Sequence, residues 1–173
     1  MLFRSTPVVQ RLAGGTVWSS PTLKDNLSGN AQNVVGASYN GKLYLAYDSA
    51  VDRLHVWDGS TVRRTGLATP EAATVANTGA GTYAATLRYY KVAYAEIVGS
   101  TVIRLSELSP VVSFTPSGAG TAARVTKPAA INEGETHWLL YGSADGNLYY
   151  QLAETAVGTT TYDDSTVPAQ YSG

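Results

Sequence analysis

From Val34 onward, apolar and polar residues alternate in short runs that are separated by turn dipeptides. The runs KLYLAYD, RLHVWD and STVRRT stand next to Asn40-Gly41 and Asp58-Gly59, and in the first of them Leu43 and Leu45 share one face. A period of two is that of a strand with one buried face, and Asn-Gly and Asp-Gly favour tight hairpins. The pattern therefore predicts a small β-meander over residues 34–66.

After a linker at Gly66–Pro70, eight further runs have the same character at the spacing of a β-sandwich. They are ATVA, TLRYYKVAYAEIV, TVIRLSEL, VVSFTP, AARVTK, THWLLYG, NLYYQLAE and TTTYDD. The long run Thr86–Val98 also contains good helix formers, but its β-branched and aromatic residues and the Gly99-Ser100 turn after it favour a strand. In THWLLYG, Trp138 and Leu140 oppose His137, Leu139 and Tyr141, and the following Asp145-Gly146 predicts a hairpin onto Leu148, Tyr150 and Leu152 in the next run. We predict an all-β fold with a β-sandwich over residues 67–166.

The two ends of the chain lack this periodicity. Residues 1–33 carry Pro7, Pro21 and many Ser, Thr and Asn, which predicts an extended N-terminal arm that is either disordered or ordered on a neighbouring subunit. Residues 167–173 predict a C-terminal tail. A three-stranded meander has too little surface to cover its own apolar face, so we expect it to pack on the rest of the chain or on a partner.

Composition narrows the range of partners. With 12 basic and 13 acidic residues the net charge is −1, which provides no long-range field for nucleic acid or an anionic membrane, and neither is expected as a partner. No segment is apolar and long enough to predict a membrane span or an export signal. The absence of cysteine removes disulfides, thiolate metal sites and a thiol nucleophile. Twelve Tyr and three Trp against two Phe favour half-buried sheet faces and interfaces.

Candidate metal-binding and catalytic residues are few. His55 and His137 lie about 80 positions apart on strand-like runs, which favours ordinary sheet histidines over a shared metal site. Asp163-Asp164 and the pair Glu133 and Glu135 lack the ligand spacing of a calcium loop, so turn capping is the favoured role. No serine lies in an activated-nucleophile motif. We predict no catalytic, cofactor-binding or metal-binding residue, no cofactor, and no enzymatic activity.

Five aromatic residues leave two interpretations open. Tyr44, Trp57, Tyr90, Trp138 and Tyr149 would form an exposed strip for sugar stacking or subunit contact, or they would pack in the core and across strands. The sequence does not decide between these interpretations.

The stretch from Leu67 to Pro110 resembles the fibronectin-type-III-like modules of bacteriophage tail, neck and tail-fibre proteins. The shared features are a proline-led entry at Pro70, a glycine-rich loop at 79–81, a tyrosine-rich strand at 89–94 and a Ser-x-x-Ser-Pro strand at 106–110. The later run THWLLYGSADGNLYYQLAETAVGTTTYDD resembles the partner hairpin of such modules, although residues 137–142 lack its usual arginines. The preceding run NGKLYLAYDSAVDRLHVWDG resembles a propeller blade.

This resemblance implies a fold and a role. Because the tyrosine-rich strand precedes the hairpin, it implies an immunoglobulin-like or fibronectin-III-like β-sandwich with circularly permuted topology. It also implies a non-catalytic virion protein of the neck, tail or capsid decoration, with copies of itself and other virion proteins as partners. The alternative is a receptor- or carbohydrate-binding module of a tail fibre or adhesin, with a host-surface glycan or receptor as partner.

Overall fold

A computed structural model describes residues 9–12, 18–24, 33–48, 53–83, 85–117 and 121–171. The chain divides into two compact units, residues 1–66 and 67–173. All regular structure in the described ranges is antiparallel β-sheet, apart from a 3-10 turn at Pro168–Gln170. The prediction of an all-β fold is confirmed.

The first unit contains a two-stranded and a four-stranded antiparallel sheet. The predicted arm includes the strand pair β1 (Val9–Leu12) and β2 (Trp18–Lys24), and its other residues before Asn33 lie outside the described ranges. The four-stranded sheet consists of β3 (Val34–Tyr39), β4 (Lys42–Tyr47), β5 (His55–Trp57) and β6 (Val62–Arg64). These strands lie in chain order and form a meander, with β3 preceding the three runs named in the sequence.

Tight turns set the register of this meander. Asn40 and Gly41 both have positive φ, 48° and 71°, as a two-residue hairpin with a type I′ turn requires. At the β5–β6 hairpin Gly59 has φ 102°, and the Asp58 carboxylate accepts hydrogen bonds from the N–H groups of Ser60 and Thr61. Between these hairpins, β4 and β5 pair so that His55 and Trp57 lie opposite Leu45 and Leu43, on one face of the sheet.

The second unit contains eight strands, as the eight sequence runs predicted. They are β7 (Thr74–Tyr83), β8 (Arg88–Val98), β9 (Thr101–Leu105), β10 (Val112–Phe114), β11 (Thr121–Thr126), β12 (His137–Ser143), β13 (Tyr150–Ala156) and β14 (Thr161–Asp164). A five-stranded sheet has the order β10-β8-β12-β13, with β9 on the same edge of β8 as β10. The second sheet has the order β14-β11-β7.

Both sheets contribute side chains to one core, as in a β-sandwich. Alternate residues of β8 and β12, namely Val92, Tyr94, Trp138 and Leu140, are fully buried and pack with Val125 of the three-stranded sheet. Each large apolar side chain buried in this way contributes roughly 1.5–3 kcal/mol. The core thus explains why the long run 86–98 is a strand: helical spacing would not place these residues on one face.

The opposite face of β8 and β12 is also apolar. Ala93, Ala95 and Ile97 of β8 form a second buried cluster with Leu139, and Tyr141 packs against it. The alternation predicted for β12, with Trp138 and Leu140 opposing Leu139 and Tyr141, is therefore confirmed.

Between β9 and β10, two serines hydrogen-bond the connecting segment to the edge of β8. Ser106 Oγ accepts a hydrogen bond from the N–H of Tyr94, and Ser109 Oγ accepts one from the N–H of Val92, each at 2.9 Å. The backbone N–H groups of the same two serines donate to the carbonyls of Tyr94 and Val92. The Ser-x-x-Ser spacing therefore provides hydrogen-bond partners for the backbone groups of Val92 and Tyr94, where no regular strand pairs with this edge of β8.

Candidate functional site

The main group of buried charged and polar side chains surrounds the carboxylate of Asp164, at the end of β14. Asp164 Oδ2 accepts hydrogen bonds from the hydroxyls of Tyr90 and Tyr171, each at 2.6 Å, and lies 3.3 Å from Nη1 of Arg88. The other carboxylate oxygen, Oδ1, accepts the N–H of Thr166 at 2.9 Å. The side chains of Arg88 and Asp164 are both 0% exposed.

The cluster connects the two sheets and the predicted tail. Arg88 and Tyr90 lie on β8 of the five-stranded sheet, whereas Asp164 ends β14 of the three-stranded sheet. Tyr171 is 8% exposed, directly after the 3-10 turn. The sandwich thus extends beyond residue 166, the boundary predicted from the sequence, because the tail supplies a hydrogen-bond donor to its buried charge.

Electrostatics keeps both tyrosines of the cluster protonated. Burial and the adjacent Asp164 carboxylate raise the pKa of Tyr90 far above its ordinary value of 10, and burial with the same carboxylate also raises the pKa of Tyr171. Each hydroxyl therefore remains a donor to the carboxylate. The ion pair is fully buried and receives two hydroxyl hydrogen bonds, so losing one of its members would leave an uncompensated charge in the core.

The other predicted carboxylates also have structural partners. Asp163 forms a bidentate pair with Arg124, with both N···O distances at 2.7 Å, and this pairing lowers the pKa of Asp163. Glu135 accepts the N–H groups of residues 131, 132 and 133 in the loop before β12. Burial alone would raise the pKa of Glu135, but these backbone hydrogen bonds lower it. Glu133 Oε2 accepts the N–H of Ala68 at 2.9 Å. The predicted capping role is confirmed for Glu135.

The two histidines have sheet environments. His55 is 8% exposed on β5, and its ring packs edge-on against Tyr47 with 5.5 Å between ring centroids. His137 begins β12, where its Nδ1 lies 2.9 Å from Thr136 Oγ1. Among the described residues, no three His, Asp or Glu side chains are grouped as a metal site.

The five candidate aromatic residues do not form one exposed strip. Tyr90 and Trp138 are both 0% exposed in the sandwich core, where Trp138 Nε1 donates to the Thr159 carbonyl at 2.8 Å. Tyr44 and Trp57 are half-buried in the meander, and Tyr149 is half-buried with Lys91 Nζ 4.6 Å from its ring centroid. Core packing is therefore the correct interpretation for Tyr90 and Trp138.

Exposed apolar side chains concentrate on two edges. The first is β3, all of whose six residues are exposed, with Val35 at 69% and Tyr39 at 74%. The second, which we call the 98–111 segment, comprises β9, the residues on either side of it and the serine-containing stretch. Its exposed members are Val98, Val102, Ile103, Leu105, Leu108 and Val111, at 38–61%.

The sequence pattern missed the Asp164 cluster and both exposed edges. One signal was present: Arg88 shares the core-facing alternation of Tyr90, Val92 and Tyr94, and an arginine on that face requires a buried counter-ion. Its identity was hidden because Asp164 lies 76 residues further along the chain.

Comparison with protein-family models found no match, and comparisons with curated proteins and with solved structures found no significant similarity. In the described part of the chain, no helix has the length and apolar character needed to cross a membrane.

Proposed function

We propose that this chain is a non-catalytic structural subunit of a bacteriophage particle, acting in the neck, tail or capsid decoration through contacts with its own copies and with other virion proteins. The observation that carries the proposal is the 98–111 segment, in which six of 14 residues are large, apolar and exposed. Exposed apolar side chains that cluster on a soluble protein often mark an interaction site.

The one charged residue of β9 is directed away from the surface, whereas Glu107, further along the 98–111 segment, is exposed. Arg104 is 8% exposed, and its guanidinium hydrogen-bonds the Glu96 carboxylate and the Glu133 carbonyl. Proteins protect edge strands with exposed charges, proline, β-bulges or inward-pointing charges. β9 carries no exposed charge and no proline, and Arg104 is its one inward-pointing charge, so its apolar side chains remain exposed.

The finer fold assignment, a circularly permuted fibronectin-III-like sandwich, is part of the proposal. One feature supports it. Trp138 is buried in the core on a central strand, as in such sandwiches. The phage role follows from the resemblance of 67–110 and of the later hairpin to modules of phage proteins.

The test is solution mass by light scattering over a concentration series, combined with Ile103→Lys. Ile103 is 44% exposed, so the substitution should leave the fold intact while it lowers the mass of the assembly. Thr101→Lys, exposed on the same strand but not apolar, is the matched control. A protein that stays monomeric at every concentration, and whose peptides are absent from purified phage particles by mass spectrometry, would overturn the proposal.

One observation favours the alternative, a receptor- or carbohydrate-binding module. The Tyr39 ring is 74% exposed, as stacking on a sugar requires. Glycan binding by the native chain that is lost in Tyr39→Ala would establish this function instead.

A further inference from the structure

The strand β3 is an open edge of the four-stranded sheet. In the described residues it pairs only with β4, and all six of its residues, VVGASY, are exposed and uncharged. An uncharged, exposed edge without proline is a template for another strand. The strand that would pair with it can be inferred from three properties of β3 and its hairpin. They are the backbone groups that point outward, the face on which each side chain lies, and the charges at the two ends.

The Asn40-Gly41 turn fixes which backbone groups face outward. Tyr39 and Lys42 flank this two-residue turn and pair with each other, so they exchange hydrogen bonds within the hairpin. By alternation, Val35 and Ala37 also direct their N–H and C=O groups towards β4. Val34, Gly36 and Ser38 then present theirs to the open side.

We propose that β3 pairs antiparallel with β3 of a second copy about a two-fold axis through Ala37, joining two four-stranded sheets into one of eight strands. This inference rests on the proposed assembly function and assigns one of its contacts. A two-fold axis perpendicular to the sheet keeps each face on its own side, so residues of one face pair with residues of the same face. Gly36 and Ser38 then exchange hydrogen bonds with Ser38 and Gly36 of the second copy.

The side chains agree with this register. Val35, Ala37 and Tyr39 lie on one face, and the axis through Ala37 places Val35 opposite Tyr39 of the second copy, twice by symmetry. These are the two most exposed large apolar side chains among the described residues, and aromatic with β-branched pairs are favourable across strands. An axis through Gly36 would pair Val35 with Ala37 and leave Tyr39 opposite the polar Asn33.

The pairing of Val35 with Tyr39 twice by symmetry points to a second copy as the occupant, and the charges at the two ends of the hairpin agree with the antiparallel orientation. Asp48 lies at one end of the hairpin, held by Asn33 Nδ2 at 2.9 Å, and Lys42 lies at the other end. By the alternation along the strands, the side chains of both residues lie on the same face of the sheet as Val35 and Tyr39. The two-fold axis brings the Asp48 end of each copy towards the Lys42 end of the other, but these residues lie on or next to β4, roughly 14 Å from their counterparts, so salt screens their attraction. The small area of one strand edge predicts a weak contact that gains strength in a multivalent assembly.

Cysteine cross-linking tests the register directly, because the native chain has no cysteine. The paired Ala37 residues would be a non-hydrogen-bonded pair with Cα atoms about 4.5 Å apart, within disulfide range. Ala37→Cys should therefore oxidise to a linked dimer. Val35→Cys, on the same face, is the matched control: its two copies would be four residues out of register, about 13 Å apart, and should stay unlinked.

Ala37→Lys supplies the second measurement. It would place two like charges opposite each other at the axis and should raise the dissociation constant of the dimer about fivefold. A linked Ala37→Cys dimer with unlinked Val35→Cys supports the inference. If the native chain assembles but Ala37→Cys does not link and Ala37→Lys assembles normally, the β3 contact is wrong and the proposed function stands. If the native chain stays monomeric and is absent from phage particles, and Ala37→Cys does not link, both fail.

Discussion

The buried cluster around Asp164 gives the sharpest prediction about stability, for the substitution Asp164→Asn. The change keeps the size of the side chain but removes the charge that Arg88 faces at 0% exposure. Leaving one member of a buried ion pair without its partner costs about 3–5 kcal/mol of unfolding free energy. Tyr171→Phe, which removes a single hydroxyl bonded to the carboxylate at 2.6 Å, should cost less, about 1.5–3 kcal/mol.

Asp163→Asn is the matched control, because it makes the same chemical change one residue earlier. Its partner Arg124 has a 49% exposed side chain, and that of Asp163 is 37% exposed, so solvent screens the pair. Exposed ion pairs contribute about 0–1 kcal/mol. The two adjacent carboxylates should therefore differ by about 2 kcal/mol or more in the cost of amidation.

The assay is urea denaturation followed by the fluorescence of Trp138, which is buried in the second unit. Replacing Trp18 and Trp57 with Phe restricts the signal to this unit, so that its transition can be analysed as two-state. The reasoning would be refuted if Asp164→Asn and Asp163→Asn reduced the unfolding free energy equally. Arg88→Met in the Asp164→Asn background gives a further check, since removing the unpaired cation should restore part of the loss.

Four further predictions follow from the sandwich. Because Tyr171 has a raised pKa in the folded state, its contribution to stability is full below pH 10 and is lost as the pH rises further, so Tyr171→Phe should reduce the slope of alkaline unfolding. Gly142→Ala should cost about 1–3 kcal/mol in denaturation, because its Cβ would lie 2.5 Å from a core methyl carbon, whereas Gly158→Ala, with open space around it, should be near neutral. Ser106→Ala leaves a buried N–H without its acceptor and should cost about 1–3 kcal/mol. Backbone N–H groups lower the pKa of Asp145 to about 2, so an NMR titration should show its carboxyl still ionised at pH 3.

The strands and turns could be predicted from the sequence because their signals are local. The alternation in 34–66, the eight later runs and the positive φ values of Asn40, Gly41 and Gly146 all depend on neighbours a few residues apart. Which face of each strand is buried depends on pairing, and single strands do not contain that information. For this reason Tyr90 and Trp138 remained candidates for an exposed strip until the register placed them in the core.

Contacts between distant residues could not be predicted in this way. Arg88 and Asp164 are 76 positions apart, and the residue types alone do not identify them as partners. Residue 171 was assigned to a tail because the strand pattern ends at 164. Its tyrosine donates a hydrogen bond to the buried carboxylate of Asp164 instead, and such a single contact produces no repeating pattern in the sequence.

The separation of Arg88 from Asp164 also determines when the sandwich can become stable during synthesis. At about 5–20 residues per second, the 76 residues from Tyr89 to Asp164 take roughly 4–15 s to translate. The other four strands of the five-stranded sheet are made during that interval, and Arg88 on its inner face still has no Asp164 as its counter-ion. The sandwich can therefore form this buried ion pair only after its last strand, β14, has been made.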